Sequence, residues 1–202
     1  MGTGNDTYLT LESPVTGRFR DRGSRFIAFA WPVESEEAVK ERLSQLKKKY
    51  HDARHHCYAF RLGPEQELYK YSDGGEPSGT AGRPIYEQIL SAGLFNVLIV
   101  VVRYFGGVLL GTGGLHNAYK LAARDAIEHA RIIEKIIEKQ LTLSFGYEHM
   151  NLVMQTVNRE HLTIINQQFG DSCHIEIRVR KDMIDKVIGI FTSTGKINVE
   201  KI

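Results

Sequence analysis

The stretch NVLIVVVRYF, residues 96–105, decides the fold of this chain. It contains six consecutive apolar residues, at positions 97–102, and most of them are β-branched. Such residues favour strands, and an apolar run without polar alternation predicts a strand that is buried on both faces. The run is far too short to cross a bilayer. We therefore expect a globular domain whose sheet is built around this strand.

The segments on either side of this strand predict the rest of a first domain. Ser35 stands where it would cap a helix that opens with two acidic residues. The predicted elements, in order, are two strands in 13–33, a helix in 35–50, a hairpin over 55–72, a short helix from near Pro84, the central strand, and a long helix over 115–133. This order, ββαββαβα, predicts an α+β sheet with its helices layered on one face.

A different pattern begins at about residue 134 and predicts a second domain. Its elements are a strand in 139–147, a helix over 148–159, strands at 162–169 and 173–180, a helix over 181–192, and a strand in 195–202. The order βαββαβ is that of the ferredoxin-like unit. We therefore predict an α+β protein of two domains, residues 1–136 and residues 137–202.

Charge and cysteine content narrow the classes of partner and compartment. The chain has 26 basic and 24 acidic side chains, so its net charge of +2 gives no general attraction to polyanions. The densest basic run, RFRDRGSRF at 18–26, is either a solvated face or a local binding patch. Two distant cysteines make no disulfide framework, and the amino terminus lacks a basic flank followed by an apolar stretch. We expect a cytoplasmic protein with no membrane partner.

Two glycine-rich segments, at 72–84 and 104–115, each follow a predicted strand and precede a predicted helix. Neither contains GxGxxG or GxxxxGK[ST], so ATP or dinucleotide binding is disfavoured and no cofactor is predicted. Two helix amino termini that open on the same edge would attract an anion. Alternatively, the glycines and prolines only supply turns and close packing.

Several polar residues in these segments are typical of catalysis, and each has a structural alternative. Asp73 and Glu76 are either paired carboxylates for acid/base work or magnesium binding, or acceptors for the amides of their own loop. Three hydroxyl residues are conceivable nucleophiles, but none lies in GxSxG: Ser24, Ser78 and Thr80. The spacing of the histidines and the cysteine in 51–57 does not close a tetrahedral zinc site, so no metal is predicted.

Four segments, in order, carry a family resemblance. They are RGSRFIA at 22–28, ARHHCYAF at 53–60, DGGEPSGTAGRPI at 73–85, and NVLIVVVRYFGGVLLGTGGLHNAY at 96–119. Together they resemble the IMPACT/YigZ family, and the second unit resembles that of the two-domain bacterial members. The resemblance implies a first domain like domain 2 of ribosomal protein S5 and a second domain similar to the last domain of elongation factor G. It also implies a link to translational control.

Matching the family pattern to this chain predicts one surface that binds a ligand or nucleic acid. Arg25 and Arg103 are expected to meet phosphate there, while Tyr104 or Phe105 stacks on a base. The predicted site residues are Ser24, Arg25, His55, Asp73, Glu76, Ser78, Gly79, Thr80, Arg83, Arg103, Tyr104, Phe105, Gly106 and Gly107.

Three functions follow from these observations. The favoured one is a non-enzymatic regulator of translation or the stress response that binds RNA, the ribosome or a translation-associated protein through the glycine-loop face. The second is a hydrolase for a small phosphorylated or peptide-like substrate, with Asp73 and Glu76 as its catalytic groups. The third is a protein-binding module without nucleic-acid contact. The sequence predicts no particular oligomeric state.

Overall fold

The computed structural model describes residues 6–202, which contain eleven strands and five α-helices. They divide into two compact units: residues 8–135, and residues 136–202 together with Asp6 and Thr7. No helix among the described residues is both long and apolar enough to span a membrane. The mixture of antiparallel sheets and helices confirms the predicted α+β class.

The first unit contains a five-stranded antiparallel sheet in the order β2-β3-β6-β4-β5, and β1 pairs with β7 separately. Its elements are β1 (Thr7–Leu11), β2 (Val15–Asp21), β3 (Ser24–Pro32), α1 (Glu36–Lys49), β4 (His55–Leu62), β5 (Leu68–Ser72), α2 (Gly82–Ser91), β6 (Val97–Tyr104), α3 (Gly111–Glu128) and β7 (Ile132–Ile136). The Ser35 side chain accepts a hydrogen bond from the Ala38 amide, which confirms the predicted cap of α1.

The central strand β6 is buried on both faces, as its apolar run predicts. Alternate residues of β6 pack into two separate hydrophobic clusters, one beneath α2 and α3 and the other beneath α1. The prediction that the helices lie on one face is therefore wrong. Because β6 carries apolar side chains on both of its faces, both faces of the sheet need cover, and α1 supplies the second layer.

The predicted long helix after β6 is also wrong in its limits. The helix α3 begins four residues earlier than predicted and ends at Glu128, and residues 132–136 form the strand β7. The isoleucines Ile132, Ile133, Ile136 and Ile137 predict a core cluster at the junction with the second domain, but Ile132 and Ile136 are 40% and 46% exposed, so that prediction is wrong for these two. Isoleucine favours strands over helices because its branched side chain restricts χ1. The isoleucines of residues 132–136 were therefore a sequence signal for a strand in place of the end of a helix.

The second unit has a four-stranded antiparallel sheet in the order β11-β8-β10-β9. Its elements are β8 (Glu138–Phe145), α4 (Met150–Arg159), β9 (Thr163–Phe169), β10 (Cys173–Arg180), α5 (Ile184–Thr192) and β11 (Asn198–Lys201). The order βαββαβ agrees with the prediction. Apolar residues of α4, α5, β8 and β10 share one hydrophobic cluster, so both helices pack on the same face of this sheet.

Candidate functional site

A cleft lies in the first unit, where two strand-to-helix connections approach each other. One connection joins β5 to α2 and the other joins β6 to α3. The cleft has a volume of about 490 Å³. Its apolar wall is formed by Pro77, Phe105, Leu109, Leu110 and Leu115. Its polar side chains are those of Arg54, His55, Glu76, Arg103 and Thr112.

The Asp73 carboxylate organises the first connection from within. It accepts hydrogen bonds from the amides of Gly79, Ala81 and Gly82, each at 2.9 Å. Desolvation works to raise the pKa of Asp73, but these backbone donors outweigh it and hold that pKa below its usual value. Asp73 is therefore an ionised cap for α2.

The hydrogen bonds of Asp73 argue against two hypotheses made from the sequence: an anion site at the amino terminus of α2 and a catalytic carboxylate pair. The amide of Thr80 donates to the Pro77 carbonyl, so the four amides of residues 79–82 all have partners within their own loop. The expectation that the amino terminus of α2 offers these donors to an anion is therefore wrong. The proposed catalytic carboxylate pair also loses Asp73, because its oxygens are held by three amides.

A buried ion pair forms the floor of the cleft. Glu76 Oε1 accepts hydrogen bonds from Arg103 Nη1 at 2.7 Å and from the Tyr119 hydroxyl at 2.8 Å. The side chains of Glu76 and Arg103 are only 3% and 6% exposed. His55 Nε2 lies 4.0 Å from the same carboxylate oxygen. The positive charge of Arg103 is therefore compensated by the Glu76 carboxylate. A guanidinium whose role is to bind a phosphate group would lack such a partner.

Two fully buried neutral groups, Tyr119 and Cys57, lie close to this ion pair. Burial, and then the neighbouring Cys57 thiol and Glu76 carboxylate, raise the pKa of Tyr119 well above its usual value, so the phenol stays protonated and donates to Glu76. Burial raises the pKa of Cys57 to about 12. The Cys57 thiol donates to the carbonyl of Asp73 at 2.9 Å. A thiol with so high a pKa is a poor nucleophile at neutral pH.

The second connection is fixed by a close approach of two backbones. The amide of Gly106 donates to the Ser24 hydroxyl at 3.1 Å. A Cβ atom at Gly106 would lie 2.0 Å from the carbonyl carbon of Gly23, so only glycine fits there. Ser24 is fully buried. Both predicted site residues, Ser24 and Gly106, therefore join the β2–β3 turn to the β6–α3 connection.

The structure brings only part of the predicted site together. The predicted residues that line the cleft are His55, Glu76, Arg103 and Phe105. Thr80 is buried, and its hydroxyl donates to the Pro77 carbonyl, while Arg83 is exposed and pairs with Glu87 at 2.9 Å. Ser78 is exposed, and Gly79 and Gly107 supply positive φ angles of 75° and 88° to their loops.

Arg25 and Tyr104 lie on the other face of the sheet. Arg103 and Tyr104 are consecutive in β6, so their side chains point to opposite faces. Tyr104 packs with the cluster beneath α1, and Arg25 lies opposite it in β3, with the guanidinium carbon 4.9 Å from the ring centroid. The expectation that Arg25 and Arg103 meet the same phosphate is therefore wrong. Strand alternation separates them.

Sequence reasoning missed the apolar character of this site. In the β6–α3 connection, Phe105, Val108 and Leu109 are 55%, 49% and 82% exposed. An exposed cluster of large apolar side chains is a mark of an interaction surface. The sequence signal for this surface is the run VLL at 108–110, three consecutive large apolar residues inside a glycine-rich segment. Tyr119 was also missed, although it lies on the same helical face as Leu115.

The described residues, 6–202, contain no group of three or more His, Cys, Asp or Glu side chains placed to hold a metal ion. The chemistry of the cleft is thus an apolar wall beside a compensated ion pair, with Arg54 at its side. Arg54 is exposed and has no ion-pair partner among the residues described.

Comparisons with known proteins agree with the resemblance in the four segments. Residues 22–127 match the Impact N-terminal domain. A Haemophilus influenzae protein named IMPACT family member is 32% identical over 200 residues, which are 96% of this chain and 96% of that protein. The Escherichia coli IMPACT family member YigZ is 33% identical over 166 residues, 81% of each chain.

A solved structure extends the comparison to the fold. The crystal structure of a hypothetical protein superimposes with a TM-score of 0.77 at 29% identity, and the match covers 98% of each chain. The domain match spans both connections of the cleft, and the sequence match to the Haemophilus influenzae protein spans nearly the whole chain. On these grounds, this chain is a member of the IMPACT family.

Proposed function

We propose that this protein is a non-enzymatic regulator of translation that binds a translation-associated protein through its cleft. The observation that carries the proposal is the exposed apolar cluster of Phe105, Val108 and Leu109 beside a preformed cavity. Membership of the IMPACT family, which implies a link to translational control, supports the choice of process. Buried cysteines that form no disulfide within residues 6–202 fit a cytoplasmic location.

The lining of the cleft indicates the chemistry of the partner. Phe105 and Leu109 with Pro77 form an apolar wall suited to an aliphatic or aromatic side chain. Arg54, which has no ion-pair partner within residues 6–202, supplies a positive charge at the same cavity. The residues at the amino terminus of α3 also line it, and no side chain caps that helix end. The partner segment therefore carries an apolar side chain next to a carboxylate.

A protein partner fits this cleft better than RNA does. Arg103, the cation expected to meet phosphate here, already pairs with Glu76. Arg25 and Tyr104 are on the opposite face of the sheet. The remaining wall is apolar, which favours a side chain over a phosphate backbone.

The hydrolase hypothesis has weaker support. Both oxygens of Asp73 are held by backbone amides, and the Oε1 atom of Glu76 accepts from Arg103 and Tyr119. An acid/base pair needs at least one carboxylate that can exchange a proton with substrate. The proposed function therefore contains no chemical step.

The test is capture of partners from a nuclease-treated lysate by the purified, tagged chain. We expect a ribosomal or translation-factor protein to be retained after RNA is removed. Leu109→Asp places a charge in the apolar wall and should abolish retention. Leu68→Asp is the matched control, because Leu68 is 44% exposed on the edge strand β5 of the same unit. Equal retention by both variants, or loss of all capture on nuclease treatment, would contradict the proposal.

A further inference from the structure

Four arginines lie together at the end of the sheet where β2 turns into β3. Arg18 and Arg20 occupy alternate positions of β2, so they project from the same face. Arg22 lies in the two-residue turn, and Arg25 follows in β3. All four are exposed. We call this group the basic face: Arg18, Arg20, Arg22 and Arg25.

The pairing of β2 with β3 places Arg20 directly opposite Arg25. Like charges at directly opposed positions of two strands destabilise a sheet. None of the four arginines has an ion-pair partner among residues 6–202, and the acidic residue of the turn region, Asp21, lies opposite Ser24. Some other arginines of the same unit do have carboxylate partners. Arg83 and Arg124 each pair with the glutamate four positions along their helix, at 2.9 Å and 2.6 Å.

More cations border the basic face. The last turn of α1 contains the three exposed lysines of residues 47–49. The segment just after α1 reaches this end of the sheet at Tyr104, whose hydroxyl donates to Asp52, and Arg25 lies over the ring of the same tyrosine. The acidic residue there, Asp52, already accepts the hydroxyl of Tyr104 at 2.8 Å.

We propose that the basic face, extended by the lysines at the end of α1, is a binding surface for the phosphate backbone of a nucleic acid. The positive charges of the basic face are concentrated at one end of the sheet, whereas the chain as a whole has a net charge of only +2. They lie on neighbouring strands of a rigid sheet, at regular spacing, which suits a regularly charged polymer. The guanidinium of Arg25, which lies over the half-buried ring of Tyr104, adds a planar cation on which a base can stack.

This surface is separate from the cleft. Arg103 and Glu76 lie on the face that α2 and α3 cover, whereas Arg25 and Tyr104 lie on the face that α1 covers. The inference therefore does not depend on the proposed function, and either can fail without the other. If both hold, one small unit binds a protein and a nucleic acid at once.

Fluorescence anisotropy with short labelled duplexes tests the inference on the full chain. One arm uses an RNA duplex and the other a DNA duplex of the same sequence, each titrated at several salt concentrations. We expect micromolar or weaker binding whose affinity falls steeply as salt rises, because phosphate contacts release counterions. Arg20→Gln combined with Arg25→Gln should weaken binding at least tenfold. It should also reduce the slope of log affinity against log salt concentration by the amount expected for the loss of about two phosphate contacts.

The matched control is Arg83→Gln combined with Arg124→Gln. It removes the same charge from the same unit at exposed positions that are already ion-paired, and it should change the affinity less than twofold. Equal losses in the two double variants would mean that only net charge matters, and would overturn the proposal. So would salt-independent binding, absence of binding to both duplexes at low salt, or equal competition by polyglutamate, which would assign the surface to an acidic protein. Binding of either duplex supports recognition of a phosphate backbone, and the duplex that binds shows whether that backbone belongs to RNA or to DNA.

Discussion

Arg103 Nη1 lies 2.7 Å from Glu76 Oε1, and both side chains are almost completely buried. This contact joins β6, at the centre of the sheet, to the loop that leads into α2. Burial of an ion pair stabilises a fold little relative to apolar residues, but removal of one partner leaves a charge without compensation. The pair therefore fixes the position of the cleft floor more than it adds to stability.

Glu76→Ala should destabilise the protein by about 3–5 kcal/mol, because Arg103 would remain buried and unpaired. Urea unfolding followed by circular dichroism measures this change. The control is Glu87→Ala, which removes an exposed pair with Arg83 and should cost about 0.3–0.5 kcal/mol. Comparable losses in the two variants would show that the buried pair does not hold the loop.

Asp73→Asn should cost about 1–2 kcal/mol at neutral pH, as does loss of a helix cap. Because the folded-state pKa of Asp73 is lowered, its contribution is present above the unfolded pKa, about 3.9, and is lost as pH falls through the folded pKa. The stability difference between wild type and variant should therefore shrink as the pH is lowered towards 3. Urea midpoints measured along that pH series check the sign, and a difference that grows towards acid would contradict it.

Gly106→Ala should destabilise the protein by about 1–3 kcal/mol or more, because the added methyl group meets the backbone of Gly23 and Ser24. Gly113→Ala makes the same chemical change in α3, where a Cβ atom meets nothing within 4 Å. Because Gly113 is in the first turn of α3, that control should stabilise the protein by less than the value of about 0.8–1.0 kcal/mol that applies in a helix interior. Thermal melts of both variants test the contrast, and a tolerated Gly106→Ala would contradict the close approach.

Arg20→Thr should raise the stability by about 0.2–1 kcal/mol, because it removes a like-charge pair from two facing strands. The gain should diminish in about 1 M salt, where the Debye length is about 3 Å. The same variant should bind the duplex probes more weakly. A variant that is less stable than wild type at low salt would contradict the cross-strand repulsion on which the basic face depends.

The sequence predicted most elements correctly because their signals are local. The apolar run of β6, the cap at Ser35 and the alternation in β10 each determine their own segment. The limits of α3 and the existence of β1 and β7 were missed. The pairing of β1 with β7 joins segments more than a hundred residues apart, and no local pattern reports such a contact.

The candidate site was predicted less well, because its chemistry depends on which face each residue occupies. Family motifs selected the right loops, and His55, Glu76, Arg103 and Phe105 do meet at the cleft. Alternation along β6 alone assigns Arg103 and Tyr104 to opposite faces, but the prediction had combined them. The structural alternative given for Asp73, an acceptor for the amides of its own loop, is confirmed, and its contacts are local in sequence. The pairing of Glu76 with Arg103 is a contact between residues 27 positions apart, which one sequence cannot reveal.

Site-specific photo-crosslinking at position 109 tests the central claim most directly. A benzophenone amino acid in place of Leu109, which is 82% exposed at the cleft wall, should form an adduct with a translation-associated protein in nuclease-treated lysate. The same residue in place of Leu68, on β5, should form none. An adduct of equal yield from both positions, or no protein adduct from position 109, would contradict the account of the cleft as a protein-binding site.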